Sequence, residues 1–388
     1  MGRVVRHKKK QADRITVVSG QLSEGGAERV AIDLCAYLRD TGRTVTLLTL
    51  SGKTDTYLPP EGVQRIRLME GELPSSPLPR AWRLARAVIG VRRRITSQVP
   101  DVVVAFVDKV NILVLVSLFG SGIPVVISER VHPAYNPIGW VWKLARKLVY
   151  PLARAVTVQT EQGAEWFRQR SRVTHPIVIA NAVRNLSDLD ISSGCNNAHH
   201  EALPPRPFVL AIGRFTDQKG FDLLLEAFHR SDLVKAGWQM VILGDGPERE
   251  ALEKQARTLG IRDAVRMPGF TDVGPFLRQA DLFVLSSRYE GFPNALMEAM
   301  QVGLPCISFD CPSGPCDLIR NEQNGWLIPA QDVAALAEAL RRMSANPDLR
   351  KRLGSEATRV NDQFSPARIY GKWLALLDDV VAHKSFSG

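Results

Sequence analysis

Short runs rich in β-branched residues alternate with amphipathic stretches along most of the chain. The two periods, near two and near 3.6, predict strands and helices in turn. In the first half the order is RITVVSG, the helical GAERVAIDLCAYLRDTG, TVTLLTL, the helical PRAWRLARAVIGVRRR, DVVVAFV, a further helix, IPVVIS and AVTVQT. After a stretch rich in Ser, Asn, His and Pro the alternation restarts with FVLAIGRF, GFDLLLEAFHRS, WQMVILGDG, EREALEKQARTLG, AVRMPGF, VGPFLRQA, DLFVLSS, NALMEAMQVG and PCISFD. Alternation of this kind marks an open parallel sheet covered by helices. Two such series predict an α/β protein of two Rossmann-like, doubly wound domains: residues 1–184, a linker over 185–206, and residues 207–364. A last helical stretch, 365–384, follows the break at QFSP and is expected to pack back on the first domain. Ligands of doubly wound sheets collect at the carboxyl ends of the strands, so a cleft faced by both domains is the expected site.

Composition narrows the class. With 388 residues, 45% of them hydrophobic and 23% charged, the chain can fill two cores and carries no bias toward disorder. The longest apolar run, starting at Val110, is broken by Asn111, Ser117, Gly120 and Pro124, too soon for a membrane span. The basic start lacks the apolar centre of a secretory signal, which points to the cytoplasm. Five cysteines, an odd number in a long chain, fit reduced thiols. The net charge of +10 is one-sided: residues 1–200 hold 28 Lys and Arg against 16 Asp and Glu, whereas residues 201–388 hold 22 against 24. Much of the excess lies around Arg80–Arg94, where Leu84, Val88 and Ile89 share a helical pattern with arginines. That helix suits an anionic membrane surface as well as a solvated face. No nucleic-acid-binding motif accompanies the charge, and nucleic acid is not an expected partner.

The candidate chemistry sits in the second half. After the strand FVLAIG come Gly213, Arg214 and, across a polar loop, Lys219 and Gly220; a guanidinium and an ammonium at a strand's carboxyl end suit a diphosphate. In RYEGFPNALMEAM two glutamates, Glu290 and Glu298, flank a turn whose Pro293 lies near a helix start, leaving the N–H groups of Asn294, Ala295 and Leu296 for an anion. Paired carboxylates also fit the acid and nucleophile of a glycosidase, but a phosphate-binding frame is useless to a hydrolase of simple glycosides. Metal is not expected. Asp188 and Asp190 fall in the linker, as do Cys195, His199 and His200, and the spacing of Cys306, Cys311 and Cys316 does not match a zinc site.

The string EGFPNALME resembles the paired-glutamate motif of the family-four retaining glycosyltransferases, which have the GT-B fold. SEGGAERVA, GRFTDQKGFDLLLEAF, LGDGPERE, MPGF, DLFVLSSRYEG, GLPCISFDCPSGPCDLI and NGWLIP resemble that family as well, from about residue 14 to residue 380. The resemblance implies that Arg214 and Lys219 stabilise a departing nucleoside diphosphate, that Glu290 holds the donor sugar and that Glu298 binds ribose. It further implies that the backbone of Phe292, Pro293, Asn294, Ala295 and Leu296 meets sugar and phosphate, that the base lies near Arg266, Met267 and Gly269, and that Gly25 and Gly26 let a first-domain loop approach phosphate or acceptor. The DCPSGP segment resembles the branch that uses UDP-sugars with lipid-linked or polysaccharide acceptors, at the inner membrane face. No metal or other cofactor is implied. Two departures stand out. Where many members have a donor-contacting histidine, this chain has Arg130, with His132 two residues later, so either side chain is a candidate. Where the family commonly has glutamate, this chain has Asp317. The alternatives are a non-catalytic sugar-nucleotide or membrane-binding module, and a transferase that uses a GDP- or ADP-sugar.

Overall fold

A computed structural model describes residues 11–22, 26–50, 57–68, 80–135, 138–173, 175–184 and 203–384. The chain divides into two compact units, residues 1–180 with 367–388, and residues 181–366. Gly25, the linker carboxylates Asp188 and Asp190, and Cys195, His199 and His200 lie outside the described residues.

Unit 1 runs β1 (Arg14–Ser19), α1 (Gly26–Asp40), β2 (Thr44–Thr49), β3 (Gln64–Arg67), α2 (Arg80–Thr96), β4 (Val102–Phe106), α3 (Asp108–Leu118), β5 (Val125–Ser128), α4 (Trp140–Val149), β6 (Ala155–Val158), α5 (Glu161–Arg170) and β7 (Ile177–Val178). All described pairings are parallel, in the order β3-β2-β1-β4-β5-β6-β7. The central strand β4 is buried at every position because helices cover both faces, which is why its sequence VVVAF shows no polar alternation. The edge strand β3, QRIR, is half exposed and carries no apolar run, so the hydrophobic pattern does not announce it.

Unit 2 runs β8 (Phe208–Ile212), α6 (Phe221–Arg230), β9 (Gln239–Leu243), α7 (Arg249–Thr258), β10 (Val265–Gly269), α8 (Val273–Gln279), β11 (Leu282–Leu285), α9 (Asn294–Gln301), β12 (Cys306–Asp310), α10 (Pro315–Leu318), β13 (Trp326–Pro329), α11 (Val333–Ala345), α12 (Pro347–Ala357) and α13 (Val360–Gln363). Its six parallel strands follow the order β10-β9-β8-β11-β12-β13. The direction of winding reverses between β8 and β11, and at such a reversal the flanking loops part to leave a crevice at the strands' carboxyl ends. The core beneath is apolar and tightly closed, with Phe215, Phe228 and Leu340 fully buried.

The last helix, α14 (Pro366–Lys384), belongs from Ala367 onward to unit 1. Trp373 is fully buried with its ring 5.8 Å from that of Phe106, and Asp378 accepts from the Ala12 N–H at 2.8 Å and pairs with Arg43 at 3.1 Å. At the other end of the first series the structure departs from the expected boundary: residues 181–184 belong to unit 2, not to unit 1. The reason is local bonding, since Val183 N–H donates to Phe364 O (2.8 Å) and Asn181 and Arg184 both bond to residues of α9.

Candidate functional site

Three loops of unit 2 build the site, following β8, β11 and β12. The first two are stitched together: Arg288 N–H donates to Gln218 O (2.8 Å), Gln218 Nε2 to Tyr289 O (3.0 Å) and Ser286 Oγ to Lys219 O (2.9 Å). Arg288 adds a two-pronged bond to Asp222 on α6, at 2.9 and 2.7 Å. The close approach demands glycine at position 220, where φ is +60° and a Cβ would stand 2.2 Å from Ser286 O. The third loop closes the other side. Glu290 N–H donates to Pro312 O (3.1 Å), Ser313 Oγ to Gly291 O (3.1 Å), and Gly314, at φ +112°, leaves room for Pro293.

Between these loops Lys219 Nζ lies 2.7 Å from Glu290 Oε1, and Ser287 Oγ donates to the same oxygen at 2.6 Å. Glu290 is buried and Lys219 is 19% exposed, so the carboxylate forms the floor and the ammonium the rim. A charge taken this far out of water persists only when paired and hydrogen-bonded, and here both conditions are met. Lys219 and Glu290 thus come together at the carboxyl ends of β8 and β11, where the winding reverses. Arg214 does not join them; it is exposed on the loop after β8, outside this cluster of hydrogen bonds.

The start of α9 completes the arrangement. Its first i to i−4 bond runs from Met297 N–H to Pro293 O (3.1 Å), so the Ala295 and Leu296 N–H groups precede the ladder, and no side chain caps the helix. The N–H of Asn294, expected to be open, instead turns back to Phe292 O at 3.0 Å, because Pro293 (φ −82°, ψ 80°) curls the chain into a tight turn. The side chains of Phe292, Pro293 and Leu296 are buried, with Phe292 against Phe364 at 5.8 Å, so these residues offer a ligand only backbone. Glu298, one turn inside the helix, is buried and pairs with Arg184 at 3.4 Å; Asn181 Nδ2 donates to Asn294 Oδ1 at 2.6 Å; and Gln301 Nε2 donates to Arg184 O. Sequence reading did not single out Ser287, Asn181 or Arg184. Ser287 lies two residues past the end of β11, and the other two stand in the non-periodic NAVR segment, where nothing local signals a tertiary role.

At the edge strand β10, Gly269 has φ +93°, Arg266 is exposed, and Met267 is half-buried with its carbonyl held by Arg249 Nη1 at 3.0 Å. Arg249 also pairs with Asp245 at 2.9 Å and lies 5.2 Å over the Phe215 ring, tying the loops after β8 and β9 to strand β10. Cys306 and Cys311 are buried, whereas Cys316 is exposed. Among the described residues no group of three or more His, Cys, Asp or Glu side chains is placed to hold a metal ion.

The two candidates of unit 1 have different surroundings. Arg130 is buried, its guanidinium 5.6 Å from the Phe106 ring, and burial draws its pKa down to about 10 against the pull of Tyr370 and Glu28. His132 lies next to the Gln162 backbone of α5, its Nδ1 accepts from Ala134 N–H (3.3 Å), and burial lowers its pKa. Gly26 is the exposed first residue of α1. The structure adds Glu129, a buried carboxylate that accepts the Tyr150 hydroxyl and whose pKa burial raises to about 7.

Residues 197–360 match the family described as glycosyl transferases group 1, and residues 25–182 match a glycosyl transferase 4-like domain. The chain is 24% identical over 367 residues to the amylovoran biosynthesis glycosyltransferase AmsD of Erwinia amylovora, covering 94% of this chain and 99% of that one. It is 24% identical over 369 residues (95% and 99%) to the GalNAc-alpha-(1->4)-GalNAc-alpha-(1->3)-diNAcBac-PP-undecaprenol alpha-1,4-N-acetyl-D-galactosaminyltransferase of Campylobacter jejuni. In fold it resembles Anabaena Alr3699/HepE, solved in complex with UDP and glucose, with a TM-score of 0.75 at 20% identity over 94% of this chain and 99% of that one.

Proposed function

The chain belongs to the GT-B glycosyltransferases of the family-four type, and from that premise we propose that it transfers a hexose or N-acetylhexosamine from a UDP-sugar to a lipid-linked or polysaccharide acceptor, with retention, at the cytoplasmic face of a membrane. The observation that carries the donor side is the Lys219–Glu290–Ser287 cluster at the β8/β11 reversal, beside the uncapped start of α9. The diphosphate lies against the Ala295 and Leu296 N–H groups, where the helix dipole favours negative charge. Lys219 reaches the same phosphates from the rim and opposes the charge that grows on the leaving oxygen. Glu290, held by Ser287 and Pro312, accepts from sugar hydroxyls, and Glu298, steadied by Arg184, accepts from the ribose. The bond from the anomeric carbon to the phosphate oxygen breaks as the acceptor oxygen bonds to the same face, and the acceptor's proton passes to the departing phosphate. No protein nucleophile and no metal takes part.

UDP bound to the Anabaena relative and the undecaprenol-linked acceptor in the name of the Campylobacter one support this donor and acceptor class. The basic excess of the first 200 residues supports a membrane surface as partner, and no described helix is long and apolar enough to cross a membrane. The test is a donor screen with lipid extract as acceptor, read by mass spectrometry, with the anomeric configuration of the product read by NMR. Consumption of a UDP-hexose or UDP-N-acetylhexosamine with retained configuration is expected. Consumption of only a GDP- or ADP-sugar, or an inverted product, would overturn the assignment.

A further inference from the structure

Among the described residues, the large apolar side chains left exposed lie almost entirely in unit 1, with Phe270 the exception. The densest set is on α4. Trp140 (76% exposed), Val141, Leu144 and Leu148 recur at helical spacing along one stripe, and Leu152 continues it. Phe119, at the end of the neighbouring α3, is exposed as well. A water-facing helix normally turns such a stripe inward; here it points out, and α4 attaches to its unit through Trp142, Ala145 and Val149.

Beside the stripe lies a cavity of about 290 Å³ whose lining includes Lys143, Arg146, Lys147, Arg170 and Arg172 and no carboxylate. Arg146 is 94% buried, its guanidinium lies 5.1 Å over the Trp166 ring, and its Nη1 has no hydrogen-bond partner. Glu129, a buried carboxyl group within electrostatic reach of Arg146, takes the Tyr150 hydroxyl, and burial raises its pKa to about 7. A buried guanidinium nitrogen left unbonded is costly, and five cations around one hollow repel one another unless an anion enters.

We propose that this cavity receives the phosphate of an anionic membrane lipid while the outward stripe of α4 lies among the lipid chains, so that α4 docks unit 1 on the bilayer. This deepens the membrane part of the reading above and does not depend on the donor site. Charge complementarity selects the occupant. A second copy meeting the same face would set its cations against these, and a soluble anion would leave the stripe without a role.

The test is co-sedimentation of the full chain with phosphatidylcholine vesicles, with and without phosphatidylglycerol. Binding that requires phosphatidylglycerol is expected. Each basic residue near an anionic surface contributes about fivefold in affinity, so Lys143→Gln with Lys147→Gln, both exposed, weakens it about 25-fold. Leu144→Ser with Leu148→Ser weakens it by roughly tenfold or more. Arg146→Lys, which keeps the charge and loses both the planar donor set and the stacking on Trp166, weakens binding to phosphatidylglycerol, and thermal unfolding of the same variant reads the cost of the lost Trp166 contact separately. UDP affinity measured without vesicles reports the donor site, whose proposed residues include none from α4 or the cavity lining. It is unchanged in all these variants, and its absence in the wild type would sink the donor reading but not this one. Equal binding to both vesicle types, wild-type affinity in both double variants, uptake of inorganic phosphate without vesicle binding, or a dimer abolished by the leucine changes without vesicle binding would each overturn the proposal.

Discussion

Removing the ammonium of Lys219 should separate the two tasks that its contact with Glu290 combines. At 2.7 Å the bare attraction is about 6 kcal/mol for an effective dielectric constant near 20. Desolvation of the two ions offsets most of it, leaving a net coupling of about 1–3 kcal/mol. Lys219→Ala strands a carboxylate that is 6% exposed with Ser287 as its remaining side-chain donor, at a cost of about 2–3 kcal/mol in the stability of unit 2. Glu290→Gln costs less, about 1 kcal/mol, because the lysine that it frees sits on the rim and can turn to water. The double variant leaves no unpaired charge, so its loss falls short of the sum by the coupling energy. The assay is urea unfolding followed by hydrogen exchange in peptides from residues 207–364, together with UDP calorimetry. One charge-assisted bond to diphosphate contributes about 1.5–3 kcal/mol, so Lys219→Ala should weaken UDP ten- to a hundredfold, by about that amount. Additive stability losses together with wild-type UDP affinity would refute both the pairing and the role.

Two further outcomes test other parts of the structure. Gly220→Ala should destabilise unit 2 by about 2–4 kcal/mol, since its Cβ would meet Ser286 O at 2.2 Å, whereas Gly237→Ala, also at positive φ but with nothing within 4 Å, should cost only about 1 kcal/mol. Equal losses in urea unfolding would show that the loop contact is not tight. Glu129, buried beside Tyr150, Arg146 and Asp108, keeps its proton in the folded state up to about pH 7 against about 4.5 when free. Its folded pKa is raised, so the stability of unit 1 is highest below the lower value and falls as pH rises through the window, by about 3 kcal/mol at most; Glu129→Gln should flatten that slope in hydrogen-exchange measurements.

Much of the site was legible because its chemistry lies in contiguous segments. GRFTDQKG and SSRYEGFPNALME carry Lys219, Glu290 and Glu298 within short distances of strand ends, and strand ends in a parallel sheet are where loops meet ligands. The parallel sheets were legible for a related reason: strands buried on both faces read as unbroken apolar runs. Less legible were elements whose pattern is weak or misleading. β3 is a polar edge, and α4 places apolar residues on both its inner and outer sides, so no single stripe marks which way it faces.

The sequence alone determined the periodic elements, their order and the residue types offered at each strand end, since these depend on side-chain chemistry and near neighbours. Only the tertiary structure decided the partners. It set Lys219 on Glu290 across 71 positions and Arg184 on Glu298 across 114, moved residues 181–184 into the second unit, turned the Asn294 N–H away from any ligand, and left Arg214 outside the cluster. Such contacts depend on where separate loops are carried by the sheet and the helices packed on it, which no local pattern encodes.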